Sequence, residues 1–142
     1  MRLLAVACAA LAAVVAGAAR GADTQGVVGS VRANPLSVQL TLPTDPVKRG
    51  RWFSITALVS NSAPVRLDKV TATLVHPTGL LLDRTDAQGI TFVPALGSKT
   101  AKWEACSNAA GSYVVLARAA VGSYVAESLA GVVQIVPSSK TC

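Results

Sequence analysis

Between Arg51 and Val75, apolar and polar side chains alternate with a period of two. Phe53, Ile55, Ala57 and Val59 fall on one face and Ser54, Thr56 and Ser60 on the other, with Trp52 and Leu58 as apolar members of the polar set. That spacing marks a strand with one buried face. Asn61-Ser62-Ala63-Pro64 breaks it with turn chemistry, and Val70, Ala72 and Leu74 resume it opposite Lys69, Thr71 and Thr73. Upstream, Ser37 to Leu42 predicts a first strand with Val38, Leu40 and Leu42 on one face, ended by Pro43-Thr44-Asp45-Pro46. Downstream, His76-Pro77-Thr78-Gly79 turns the chain. Short strands are expected at Leu80 to Leu82, Ile90 to Val93, Ala101 to Ala105, Gly111 to Ala117 and Gly131 to Pro137. Ala117 to Ala130 is alanine-rich, but Gly122 and Gly131 bracket it and Tyr124-Val125 favours extended chain. Short strands separated by glycine and proline, with no helical period after the N-terminal stretch, predict an all-β fold: an antiparallel β-sandwich of seven or eight strands.

The N-terminus changes what is counted. Met1-Arg2 precedes an unbroken small and apolar run from Leu3 to Ala19, which reads as a secretory signal peptide and is short for a membrane span. Ala16-Gly17-Ala18 supplies the small residues a signal peptidase needs. The expected organisation is a leader over 1–21, cleaved at about 18–21, a flexible lead-in over 22–35, one sandwich over 36–137 and a tail over 138–142. The expected product is secreted, extracellular or periplasmic, with no membrane span once the leader is gone.

Thirteen Lys and Arg against seven Asp and Glu give a net charge of +6; losing Arg2 and Arg20 with the leader leaves about +4. Apart from Lys48, Arg49 and Arg51 the cations are scattered, and no aromatic residues interleave with them as a nucleic-acid surface requires, so no nucleic acid partner is expected. Outside the leader the only cysteines are Cys106 and Cys142. An even count in an oxidising compartment predicts a disulfide. A last strand running antiparallel beside the one opened at Gly111 would bring the chain's end back to Cys106.

Catalytic chemistry has little to build on. His76 is the only histidine; it stands directly before Pro77 in a turn, and no G-x-S-x-G elbow accompanies it. No catalytic residue is assigned, and the chain is read as a non-enzyme without a cofactor. Asp83, Asp86 and Gln88 offer oxygens from one loop, but in the wrong order for an EF-hand and with too few carboxylates, so no metal site is assigned. Carbohydrate has a better case, because Trp52 and Tyr124 are placed to be exposed as sugar-stacking platforms. Trp103 shares the face of Ala101 and Ala105 and is expected in the core.

Several of these segments also resemble a known family. Gly50 followed by Phe53-Ser54-Ile55-Thr56-Ala57-Leu58-Val59-Ser60-Asn61-Ser62, then Val70-Thr71-Ala72-Thr73-Leu74 running into His76-Pro77-Thr78-Gly79, is similar to the extracellular immunoglobulin-like modules of bacteria and archaea known as CARDB and NEW3 domains. Leu96-Gly97-Ser98-Lys99-Thr100 resembles their approach to the fifth strand, and Gly111-Ser112-Tyr113-Val114-Val115 resembles their G-x-Y-x-V opening. Val125-Ala126-Glu127-Ser128 resembles a turn of CARDB, without the acidic and asparagine residues that follow there. The likeness covers Ser37 to Val136. It implies a non-catalytic adhesive, spacer or accessory module, with an accessory or inhibitory subunit of an extracellular enzyme as the alternative.

Two expectations follow from placing the strands in that arrangement. Tyr113 should be a corner tyrosine whose hydroxyl bonds upstream backbone. If Val70, Ala72 and Leu74, Tyr113, Val115 and Ala117, and Val133 and Ile135 face the core of one sheet, its outer face carries Val75, Val114, Leu116, Arg118, Val132, Gln134 and Val136. So apolar a face needs a cover. The candidates are an extracellular protein partner, a second copy of the chain, or the chain's own Pro43 to Arg49 or Ala119 to Ala130.

Overall fold

The computed structural model describes residues 33–142, so the leader and most of the lead-in lie outside the described residues. Ten strands run in chain order: β1 Leu36–Thr41, β2 Val47–Lys48, β3 Phe53–Asn61, β4 Leu67–Val75, β5 Leu80–Leu82, β6 Ala87–Val93, β7 Ser98–Ser107, β8 Gly111–Val121, β9 Tyr124–Glu127 and β10 Gly131–Val136. Strands β1-β3-β7-β5 form one sheet and β2-β10-β8-β4-β6 the other, with β9 pairing β8 beyond the end of β10. This is the strand order of an immunoglobulin sandwich.

The alternation that predicts the strands also builds the core. Ile55, Ala57 and Val59 of β3, Ala101, Trp103 and Ala105 of β7, Val70, Ala72 and Leu74 of β4, Val115, Ala117 and Ala119 of β8, and Val133 and Ile135 of β10 are all buried between the sheets. Trp103 is the largest of the fully buried side chains, and its indole Nε1 donates to the Asp86 carbonyl at 3.1 Å, which satisfies the one polar atom the ring takes inside. Leu58 and Trp52, the apolar residues out of step with β3, stay exposed.

The structure adds two strands to the expected set and shifts others. Pro43 and Pro46 end β1, and the chain crosses to the opposite sheet, where Val47–Lys48 pairs with Ile135 and Val136 in parallel, an exception in an otherwise antiparallel molecule. Tyr124–Glu127 folds back on Arg118–Val121 as a hairpin through Gly122. Strand β6 begins at Ala87 rather than Ile90, since Ala87 and Gln88 find partners in Thr73 and Ala72. Asn61, expected in a turn, ends β3 and is buried. Its amide donates to the carbonyls of Val65 at 2.8 Å and Pro94 at 3.1 Å, while its Oδ1 accepts from the Ala63 N–H at 2.9 Å.

Candidate functional site

The outer face of the second sheet is built by register. Val114 of β8 lies opposite Val132 of β10, Leu116 opposite Val75 of β4, and Arg118 between Thr73 of β4 and Glu127 of β9. Side chains opposite one another on one face are in contact range, so Val132, Val114, Leu116 and Val75 form a continuous diagonal. Val114 is 56% exposed, Val132 50% and Val75 40%, while Leu116 and Val136 are half-buried.

Polar groups bordering this diagonal pair with one another, one pair charged and one neutral. Arg118 Nε donates to Glu127 Oε1 at 2.8 Å, and Ser112 Oγ donates to Gln134 Oε1 at 2.9 Å. The segments that would have covered the face lie in the plane of the sheet instead: Val47–Lys48 extends it beside β10, and Tyr124–Glu127 extends it beside β8. Among the described residues nothing folds across it. A shallow groove of about 430 Å³ runs along its edge between Val75-His76-Pro77 and Ser112, Val114 and Leu116.

The sugar-stacking pair does not come together. Trp52 is 46% exposed. It stands just before β3, where it and Lys48 line a common concavity. Tyr124 pairs with Val121 at the far end of β8, and its ring is half-buried against the core. Gly111, at the near end, pairs with Ile135, which in turn pairs with Val47. Ten residues of strand separate the two ends, roughly 33 Å at strand rise. No ligand of ordinary size stacks on both rings.

The carboxylate oxygens of Asp83 are committed to structure. Asp83 Oδ1 accepts from the Glu104 N–H at 3.0 Å and Oδ2 from Arg84 at 3.1 Å; the Glu104 N–H first, and the guanidinium second, hold the Asp83 carboxyl below its ordinary range. Glu104 is lowered by the Ser54 hydroxyl, which donates at 2.7 Å, and then by Lys102 at 2.9 Å. Gln88 Nε2 donates to the Lys102 carbonyl. Among the described residues no three His, Cys, Asp or Glu side chains converge as a metal site would need. His76 stays in its turn with Nδ1 2.9 Å from the Pro77 carbonyl oxygen.

Cys106 and Cys142 are joined in a disulfide, and the Cys142 N–H donates to Asn108 Oδ1 at 2.7 Å. The tail after β10 is thereby fastened back to the end of β7. Tyr113 takes the corner role: its hydroxyl donates to the Ala109 carbonyl at 2.8 Å and accepts from Ser107 Oγ at 2.8 Å, while Ser107 Oγ accepts the Ala109 N–H at 3.2 Å. Nothing in the strand pattern marks Ser107 as the residue that closes this ring.

Solved structures match this architecture. A solution structure of the CARDB domain of the PF1109 protein from Pyrococcus furiosus superposes with a TM-score of 0.53, covering 75% of this chain and 98% of that domain at 15% identity. The fold is that of a CARDB-type immunoglobulin-like sandwich. A crystal structure of the same CARDB domain in complex with di-metal ions gives a TM-score of 0.55 over 76% of this chain and 99% of that one, again at 15% identity. No protein-family model matches the chain, and no curated protein matches it. At this identity the likeness to CARDB is one of fold, and residues of the outer face must be read for themselves.

Proposed function

We propose that the protein is a secreted, non-catalytic binding module that docks a protein surface through the outer face of β10, β8 and β4. The observation that carries this is the diagonal of Val132, Val114, Leu116 and Val75, uncovered by any described segment and bordered by polar side chains already hydrogen-bonded within the chain. A flat apolar face with internally compensated charge suits another flat protein face, a second copy included, better than a small ligand. Burial of each exposed valine on docking stabilises the contact by up to about 1.5 kcal/mol. The fold supports an adhesive or accessory role. The Cys106–Cys142 bridge supports an oxidising compartment, as does the apolar run that follows Met1.

The test places a charge on the diagonal. Leu116→Lys and Val114→Lys should each abolish self-association in sedimentation equilibrium, or capture of an extracellular protein by the tagged domain, and leave the thermal midpoint within a few degrees of wild type. If both variants keep the mass and the captured partner of the wild type, the binding surface is elsewhere.

A further inference from the structure

At the end of the sandwich where β2 meets β10, three pieces of backbone converge on a concave, cation-lined site. The Arg49 N–H donates to the Val136 carbonyl at 2.9 Å and the Gly50 N–H to the Ser107 carbonyl at 3.0 Å, while the Arg51 N–H closes a turn onto Lys48. Gly50 takes φ +75°, and a Cβ there would fall 2.4 Å from the Lys140 carbonyl carbon, so only glycine lets the tail pass so close. The tail is held against this turn by the Cys106–Cys142 bond. The result is a concavity of about 460 Å³ walled by Lys48, Arg51 and Trp52 on one side and Ser138 and Lys140 on the other. A second concavity of about 440 Å³, reaching Asp45 and Pro46, shares Lys48, Arg51 and Trp52 with the first.

Among the described residues the cations of this cleft form no ion pair. The four ion pairs among the described residues use Arg66, Arg84, Lys102 and Arg118, none of which lines either concavity. Asp45 is the one carboxylate side chain on the walls. Arg49, inside the same turn, has its Nε buried without a hydrogen-bond partner among the described residues. Cations clustered at a concave wall raise the local concentration of anions, and the indole of Trp52 offers an apolar, half-exposed surface between them.

We infer that this cleft binds an acidic saccharide, a chain of sugar units bearing carboxylate or sulfate groups. The C–H face of one ring would rest on Trp52 and its anionic groups on Lys48, Arg51 and Lys140, and the second concavity, which shares Lys48, Arg51 and Trp52 with the first, would take a neighbouring unit. A nucleic acid strand would need a succession of aromatic platforms, and a single indole provides one. The disulfide is part of the site, because it holds the wall that carries Ser138 and Lys140. This inference is independent of the outer sheet face and survives or fails without it.

The experiment is titration of the intact domain with oligogalacturonate and with heparin oligosaccharides, against maltohexaose, polyphosphate and oligo-dT, followed by calorimetry and by tryptophan fluorescence. Because Trp103 is fully buried, a fluorescence change on binding reports Trp52. Binding of an acidic saccharide, absent for maltohexaose, should fall at least tenfold in Trp52→Ala and in the double variant Arg51→Glu/Lys140→Glu. It should also fall in Cys142→Ser, and remain unchanged in Leu116→Lys. Trp52 is half-exposed, so a circular dichroism spectrum and melting curve matching wild type are expected and separate lost binding from lost fold. The inference is overturned if neither acidic saccharide binds, if polyphosphate or oligo-dT binds as tightly, or if a folded Trp52→Ala retains wild-type affinity.

Discussion

Cutting the Cys106–Cys142 bond at its outer end isolates what the cross-link contributes. In Cys142→Ser the changed residue is exposed, while Cys106 remains a buried thiol that packs as a small hydrophobe and leaves no cavity. The bridge spans a sequence separation of 36, closing β8, β9 and β10 into one loop. Chain entropy alone puts its effect on the unfolded state at about 4 kcal/mol. Cys106→Ser should lose more, since it places a hydroxyl in a core site where a thiol was at home. Urea denaturation followed by circular dichroism measures both. The expected order is wild type, then Cys142→Ser lower by about 3 to 4 kcal/mol, then Cys106→Ser. Wild type in excess reductant should coincide with Cys142→Ser. A Cys142→Ser midpoint giving less than about 1 kcal/mol of loss, or a wild type indifferent to reductant, would refute the assignment of this stability to the loop β8–β10.

Tyr113→Phe should cost about 1 kcal/mol in the same assay and leave the fold intact, because it removes one hydrogen bond to Ala109 and the acceptor of Ser107. Asn61→Leu should cost about 2 to 3 kcal/mol, since it strips the carbonyls of Val65 and Pro94 of their donor at a buried site; a loss below that of Tyr113→Phe would show that water replaces the amide. In the folded state the carboxyls of Asp83 and Glu104 are held below their ordinary values of 3.8 and 4.5. The folded state therefore binds fewer protons than the unfolded one, and their contribution is present above those values and lost as pH falls through the lower folded ones. Stability measured from pH 6 to pH 2 should decline below about pH 4.5, and Asp83→Asn should flatten that decline without changing its direction.

Much of the fold is legible because one face of nearly every strand is buried. In β3, β7 and β8 the period of two alone names the inward residues, and the two apolar exceptions in the first stretch, Trp52 and Leu58, are outward as their parity demands. Parity fails where backbone breaks it. Lys69 takes φ +57° at the third position of β4, and on either side of it both Leu67 and Val70 turn towards the core. Two-residue β2 has too few positions to show any period, and it exists because Val47 and Lys48 find the free edge of β10. Ser128 illustrates a third case. Its hydroxyl accepts the Ala117 N–H at 2.9 Å and its own N–H donates to the Ala117 carbonyl at 2.8 Å, so one residue bridges the gap between β9 and β10. A serine before Leu129-Ala130-Gly131 carries no sign of that in composition or spacing.

The two surfaces differ in how much of each the chain itself discloses. Alternation assigns Val114, Leu116 and Val132 to the outside of their strands, but a strand's pattern is silent about what lies across it, and only the in-plane placement of β2 and β9 shows that those segments leave the face open. The basic cleft is harder still. Lys48 and Arg51 stand close in sequence, whereas Lys140 joins them through a disulfide that links Cys142 to Cys106 across a sequence separation of 36 and a glycine that admits its backbone. Read along the sequence, these residues are a solvated loop and a frayed tail; brought together they share walls with the one tryptophan that the sandwich does not bury. Charge in this protein acquires direction through the covalent closure of its C-terminal end, so the cleft depends on Cys142 as well as on the cations that line it.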